Sequence, residues 1–171
     1  MVSEIIACAM LDGKHDLKRS IEYRERAIGY FTESANTNKW YRLVYNYDIL
    51  SRAYRIAGKK ELGLDMALKS LKIATEKCNS KSSLIEAYIL LSGAYSDVND
   101  SDGRNKYADL AYERASEMYE RSPDDYNTLL FVGACSLKGR VLQDEKKYQE
   151  AKENYELCLN LNKKLYQHDP Y

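Results

Sequence analysis

Five residues, Leu50-Ser51-Arg52-Ala53-Tyr54, return 41 positions later as Leu91-Ser92-Gly93-Ala94-Tyr95, and this recurrence constrains the fold more than any other feature. Thirteen residues after each Tyr stands an Ala, Ala67 in one copy and Ala108 in the other. Seven residues further comes a second, Ala74 and Ala115. An offset shared by several anchors marks stacked supersecondary units, each burying its apolar face only against its neighbours.

The units are helical. Apolar residues recur at three and four, period-two alternation is absent, and the only prolines are Pro123 and Pro170. We read eight helices in four hairpins, over residues 3–36, 38–80, 82–122 and 123–169 of a single repeat domain spanning 1–171. Ser3 caps a short first helix through about Leu11, and Asp12-Gly13 turns the chain. A second helix runs from about Asp16 to Ala35, and Asn38 caps the third. The stripe Leu43, Tyr47, Leu50, Tyr54 ends at Gly58, which tolerates left-handed C-terminal geometry. The partner helix carries Leu64, Ala67, Leu68, Leu71 and Ala74 and ends near Asn79. Ser82 or Ser83 opens the third hairpin, whose stripe is Leu84, Tyr88, Leu91, Tyr95, and Asn99 to Gly103 is its turn. Ser122 caps the last hairpin with Pro123 at the first helical position.

A second regularity covers all four return helices. Small residues sit seven apart at Ser20 and Ala27, Ala67 and Ala74, Ala108 and Ala115, Ala151 and Cys158. Seven residues is two helical turns, so each pair shares a face and lets a neighbouring helix approach. Leu71, Tyr112 and Tyr155 stand four after the first member and fill the space beside that contact.

These residues resemble the tetratricopeptide repeat family, in which a large residue, Leu, a small residue and Tyr on one helix precede Ala, an aromatic and Ala on the next. The matches are Tyr47-Leu50-Ser51-Tyr54 with Ala67-Leu71-Ala74, then Tyr88-Leu91-Ser92-Tyr95 with Ala108-Tyr112-Ala115. The last is Cys135-Gly139-Leu142 with Ala151-Tyr155-Cys158. The repeats run 41 and 43 residues against the family's usual 34, and so look like the long repeats of kinesin light chains and of bacterial regulatory arrays. Lys138 stands where the pattern expects Leu. The resemblance implies an all-α, right-handed α-solenoid of about four hairpins. It further implies a concave groove lined by the first helix of each hairpin, along which a protein or peptide lies. Carried over by position, the groove residues are Asp48, Arg52 and Arg55, then Ile89, Gly93 and Ser96, then Ser136, Arg140 and Gln143. The position that differs between the two copies, Arg52 against Gly93, is expected to face the groove, and the arginines to grip carboxylates through their guanidinium forks.

Other chemistry finds little support in the residues. Acidic and basic residues balance at 26 each, which argues against bulk nucleic-acid or membrane binding. No apolar run reaches the length of a membrane span, and the first eleven residues lack the basic start of a signal peptide, so a cytoplasmic protein is expected. Cys8, Cys78, Cys135 and Cys158 are scattered and read as reduced buried thiols. His15 and His168 lie far apart, and no metal or cofactor is expected. Gly58 to Gly63 has the outer glycines of a phosphate loop without the following Lys and Ser/Thr. Asp97 to Gly103 has Asp102 and Ala108 where a calcium loop needs Gly and Glu. Tyr54, Tyr95, Tyr112, Tyr148 and Tyr155 fall on packing positions, whereas Trp40, Tyr41 and Tyr45 stay open between packing and groove lining.

A non-enzymatic protein- or peptide-binding scaffold is the leading expectation. The alternatives are the peptide-sensing part of a larger bacterial regulator and a self-associating assembly module. For the last, Leu157, Leu161, Leu165 and Tyr166 are expected to lie uncovered on the final helix, implying a homo-oligomer or a piece of a longer array.

Overall fold

Residues 17–168 are described by a computed structural model, with side chains through 165; the expected first helix lies outside them. Seven helices and no strands occupy the described residues. They are α1 (Leu17–Glu33), α2 (Lys39–Ile56), α3 (Lys60–Glu76), α4 (Lys81–Asp97), α5 (Ser101–Arg121), α6 (Asp125–Asp144) and α7 (Tyr148–His168). Each packs on the next. In addition α2 touches α4 and α4 touches α6, while the return helices α3, α5 and α7 make no comparable contact with one another. The first helices of successive hairpins therefore lie on one side of the array, close together.

The small-residue pairs sit where the sequence places them. Ser20, Ala67, Ala74, Ala108 and Ala115 are fully buried, and Ala27 and Ala151 nearly so; Cys158 is half-buried, with its thiol on the Val132 carbonyl at 3.1 Å. The stripe residues Leu50, Leu91, Cys135 and Leu142 are buried as well, Leu91 with Ala67 of the preceding helix and Cys135 in the core that holds Ala115. Burial of the thiols raises the pKa of Cys78 and Cys158 and pushes that of Cys135 up to about 12.

The turns repeat more strictly than the sequence does. Each of α2, α4 and α6 ends on a left-handed residue: Gly58 (φ 77°), Asn99 (φ 60°) and Lys146 (φ 61°). After each, the same bond closes the helix: Lys59 N to Tyr54 O (2.9 Å), Asp100 N to Tyr95 O (3.0 Å) and Lys147 N to Leu142 O (2.9 Å). This six-to-one pairing satisfies the carbonyls that a helix end leaves free.

Asn38 stands at the start of α2 as expected, but its side chain makes no capping hydrogen bond; three other helix starts differ from expectation. Ser80, not Ser82 or Ser83, caps α4, accepting from Ser83 N at 3.2 Å. Asp100 caps α5 by accepting from Gly103 N at 2.8 Å, so Gly103 lies inside the helix and not in the turn. Asp124, not Ser122, caps α6, accepting from Asn127 N at 2.8 Å. In each case a nearer oxygen reaches the third amide of the helix, and that geometry selects the cap.

The uncovered face of the last hairpin is also not the one expected. Leu161 is 2% exposed, and Leu157 packs with it against Phe131 and Cys135. Tyr148 and Leu159 are the exposed apolar residues there, beside Ala151 and Tyr155. Tyr166 lies beyond the described side chains. No helix of the described residues is long and apolar enough to cross a membrane.

Candidate functional site

The expected groove residues separate into three groups. Arg55 and Ile89 are used inside the array. Arg55 Nε lies 2.5 Å from Asp97 Oδ2, tying α2 to the end of α4. Its stem covers Gly63, where a Cβ would come within 2.5 Å of Arg55 Cγ, and its guanidinium covers Gly93, where a Cβ would come within 2.9 Å of Nη2. Gly93 is thus the floor on which Arg55 rests. A side chain at this position, where the two sequence copies differ, would displace the arginine. Ile89 packs toward α6, 3.3 Å from where a Cβ on Gly133 would stand, and joins the core around Leu137 and Val141.

Asp48 is buried at 8% exposure, so it does not offer its carboxylate to a groove. Burial pushes its pKa up to about 7. The nearby Ser70 hydroxyl and the Arg52 charge oppose that shift, while the Glu86 charge adds to it. Neither Asp48 Oδ1 nor Ser70 Oγ has a partner in full hydrogen-bond geometry among the described residues. Arg52 is exposed and makes no ion pair among them. Glu86 continues this polar row onto α6, where Tyr126 Oη donates to Glu86 Oε1 at 2.9 Å. Tyr41 and Tyr45 are 47% and 43% exposed at the start of α2, and the Arg24 guanidinium lies 5.2 Å from the Tyr45 ring centre. Trp40 instead packs into the core around Val44, Ala74 and Leu84.

Ser96, Arg140 and Gln143 come together. They line a cleft of about 230 Å³ between the second half of α4, the first turn of α5 and the second half of α6. The elements explain the placement. Ser92 and Ser96 stand four apart on α4, and Leu137, Arg140, Val141 and Asp144 recur at three and four on α6, so each set shares one face. Leu137 and Val141 form the apolar base. Arg104 of α5 closes one side through an ion pair with Asp144, and next to it Asn105 Nδ2 donates to Glu145 Oε1 at 3.1 Å. Ser136, one turn earlier on α6, is half-buried and outside the cleft.

The cleft presents donors. Arg140 is exposed and has no ion pair among the described residues, whereas Asp144 neutralises Arg104. Tyr155 Oη donates to Gln143 Oε1 at 3.1 Å, which leaves the Gln143 amide NH₂ as a free donor. Ser92 is 1% exposed and lines the cleft, and its Oγ has no partner among the described residues. A buried hydroxyl without a partner costs about 1–3 kcal/mol, which a bound acceptor would relieve. One unneutralised guanidinium, one amide NH₂ and two hydroxyls suit a carboxylate, since charge-assisted bonds from arginine to carboxylate are the strong ones.

No local pattern singles out Ser92, Arg104, Asp144, Glu86 and Tyr126. In its stripe Ser92 has the place of a small packing residue. Its second role depends on α6 lying beside α4, which no local pattern encodes. No family model matches the chain, and no curated protein matches it either. The class of ligand is therefore read from these side chains alone.

Proposed function

We propose that the chain is a non-enzymatic binding module of the tetratricopeptide type, a right-handed solenoid of four hairpins whose inner face holds an extended acidic segment of a partner protein. The observation that carries this reading is the donor-lined cleft between α4 and α6, with its buried, unpartnered Ser92 hydroxyl beside the unpaired Arg140. Arg52 of α2, exposed on a first helix, supplies a further cation on the same series of helices for the acidic residues that follow. An extended segment suits a surface built from successive parallel first helices, because its alternate residues meet successive hairpins.

The test is fluorescence anisotropy with a labelled octapeptide alternating aspartate and glycine, at low salt. Arg140→Ala weakens binding at least fivefold, Arg52→Ala weakens it less, and both leave helicity and Tm unchanged. A lysine–glycine peptide does not bind. Equal affinity of the wild type and Arg140→Ala for the acidic peptide rejects the groove.

A further inference from the structure

At the end of the third hairpin opposite its turn, the first residues of α4 and the last two turns of α5 enclose a second depression of about 290 Å³. Its floor is apolar: Leu84 and Tyr88 from α4 and Met118 from α5. Tyr88 and Met118 rest on the core around Phe131, and Leu84 on the core around Val44 and Ala74. Its rim is basic. Lys81, Arg114 and Arg121 stand around that floor with Glu117 as the single acid. Arg114 Nη1 and Glu117 Oε2 are 3.6 Å apart, with side chains 54% and 44% exposed, so that pair is weak. Lys81 and Arg121 have no ion pair among the described residues. A chain with 26 cations and 26 anions thus gathers two unneutralised positive charges around an apolar floor.

We propose that this depression is a second docking site, for a partner segment in which one apolar side chain is flanked by carboxylates. It shares with the groove reading only the premise that the partner is a polypeptide. The apolar side chain seats on Leu84, Tyr88 and Met118, where the thioether adapts to its shape. The flanking carboxylates reach Lys81, Arg114 and Arg121, with arginine favoured for bidentate contact. A polypeptide fits better than a free small amphiphile for a geometric reason. Cavities that enclose free ligands run from about 300 to 1,000 Å³ and bury most of the ligand's surface. At about 290 Å³ this depression lies at the lower limit of that range, and it does not end at its own rim. It continues past Lys81 and Leu84 into a second shallow groove of about 240 Å³ beside the turn between α3 and α4. Such a track anchors one side chain and leaves the rest of its segment to pass along the surface, where Lys77 and Glu76 add one charge of each sign.

Isothermal titration calorimetry with an acetylated, amidated hexapeptide alternating glutamate and leucine tests the site. The double variant Arg114→Glu/Arg121→Glu, at exposed positions, is expected to weaken binding at least tenfold with unchanged helicity. Because this peptide also carries the carboxylates that suit the cleft between α4 and α6, each titration is repeated in the Arg140→Ala background, where the loss caused by the double variant is expected to persist. Replacing glutamate by lysine in the peptide is expected to abolish binding, and replacing leucine by glycine to weaken it at least fivefold. Equal affinity of wild type and double variant overturns the proposal. So does binding of decanoate by the wild type, lost in the double variant, when the peptide does not bind: that result assigns the site to a free amphiphile. Loss of binding in Arg140→Ala alone assigns the peptide to the groove and also overturns it.

Discussion

At the scale of single residues, Asp48 sets a pH dependence. Its folded pKa lies near 7 against an ordinary 3.8, with burial as the main cause. The folded chain therefore keeps a proton that the unfolded chain has already released. The contribution of Asp48 to stability is greatest below about pH 4, falls as pH rises toward 7, and is level above that, because the raised group opposes folding once it must ionise. The full effect is about 4 kcal/mol. Asp48→Asn removes it. Urea unfolding is expected to show the variant more stable than wild type at pH 8 and equal to it at pH 4; a pH slope identical in the two proteins rules out this role. The glycines make a sharper pair. Gly29 and Gly103 both lie inside helices, where alanine gains about 1 kcal/mol from propensity. Nothing among the described residues stands within 4 Å of a Cβ at Gly29, while one at Gly103 would come 2.5 Å from the Tyr95 ring. Overpacking costs about 1–3 kcal/mol, so packing wins at Gly103 and propensity at Gly29. Calorimetry is expected to find Gly29→Ala with a raised Tm and Gly103→Ala with a lowered one.

At the scale of elements, the hairpins share a turn that their sequences hide. Gly58, Asn99 and Lys146 occupy the same left-handed position after α2, α4 and α6. Glycine announces that geometry, asparagine permits it, and lysine gives no hint of it. A residue with a Cβ is strained there by about 1 kcal/mol or more, so Lys146→Gly is expected to raise stability by about 0.5–1 kcal/mol, read from the denaturation midpoint at unchanged m-value. No gain would mean that Lys146 has stabilising contacts that offset its backbone strain. The helices themselves were legible, since the stripes Leu43 to Tyr54 and Leu84 to Tyr95 and the paired small residues carry a 3.6-residue period. Their starts were less so. Ser80, Ser82 and Ser83 all have the chemistry of a cap, and only the backbone path decides which oxygen meets the third amide. The uncovered side of α7 was misjudged for a similar reason: Leu157 and Leu161 are leucines on a last helix, but α6 already covers them through Phe131 and Cys135.

At the scale of the whole molecule, stacking sorts the residues that sequence offered together. Arg52, Arg55 and Arg140 are equivalent as sequence, three arginines on first helices. The fold gives Arg55 to Asp97 and the two glycines, leaves Arg52 exposed, and sets Arg140 beside an unpartnered Ser92. Which arginine remains available depends on contacts 42 residues apart, from Arg55 to Asp97, so local spacing does not decide it. The order of use does follow from one principle: a cation between packed helices finds an acid there, and one at the rim is left for a partner. Whether the cleft between α4 and α6 receives an acidic segment is decided by amide chemical-shift mapping of the labelled chain, titrated with the aspartate–glycine octapeptide. Saturating shifts are expected at Ser92, Ser96, Arg140 and Gln143 and none of that size at Tyr148 or Leu159. Shifts confined to the α7 face, or absent throughout at millimolar peptide, would contradict binding in the cleft.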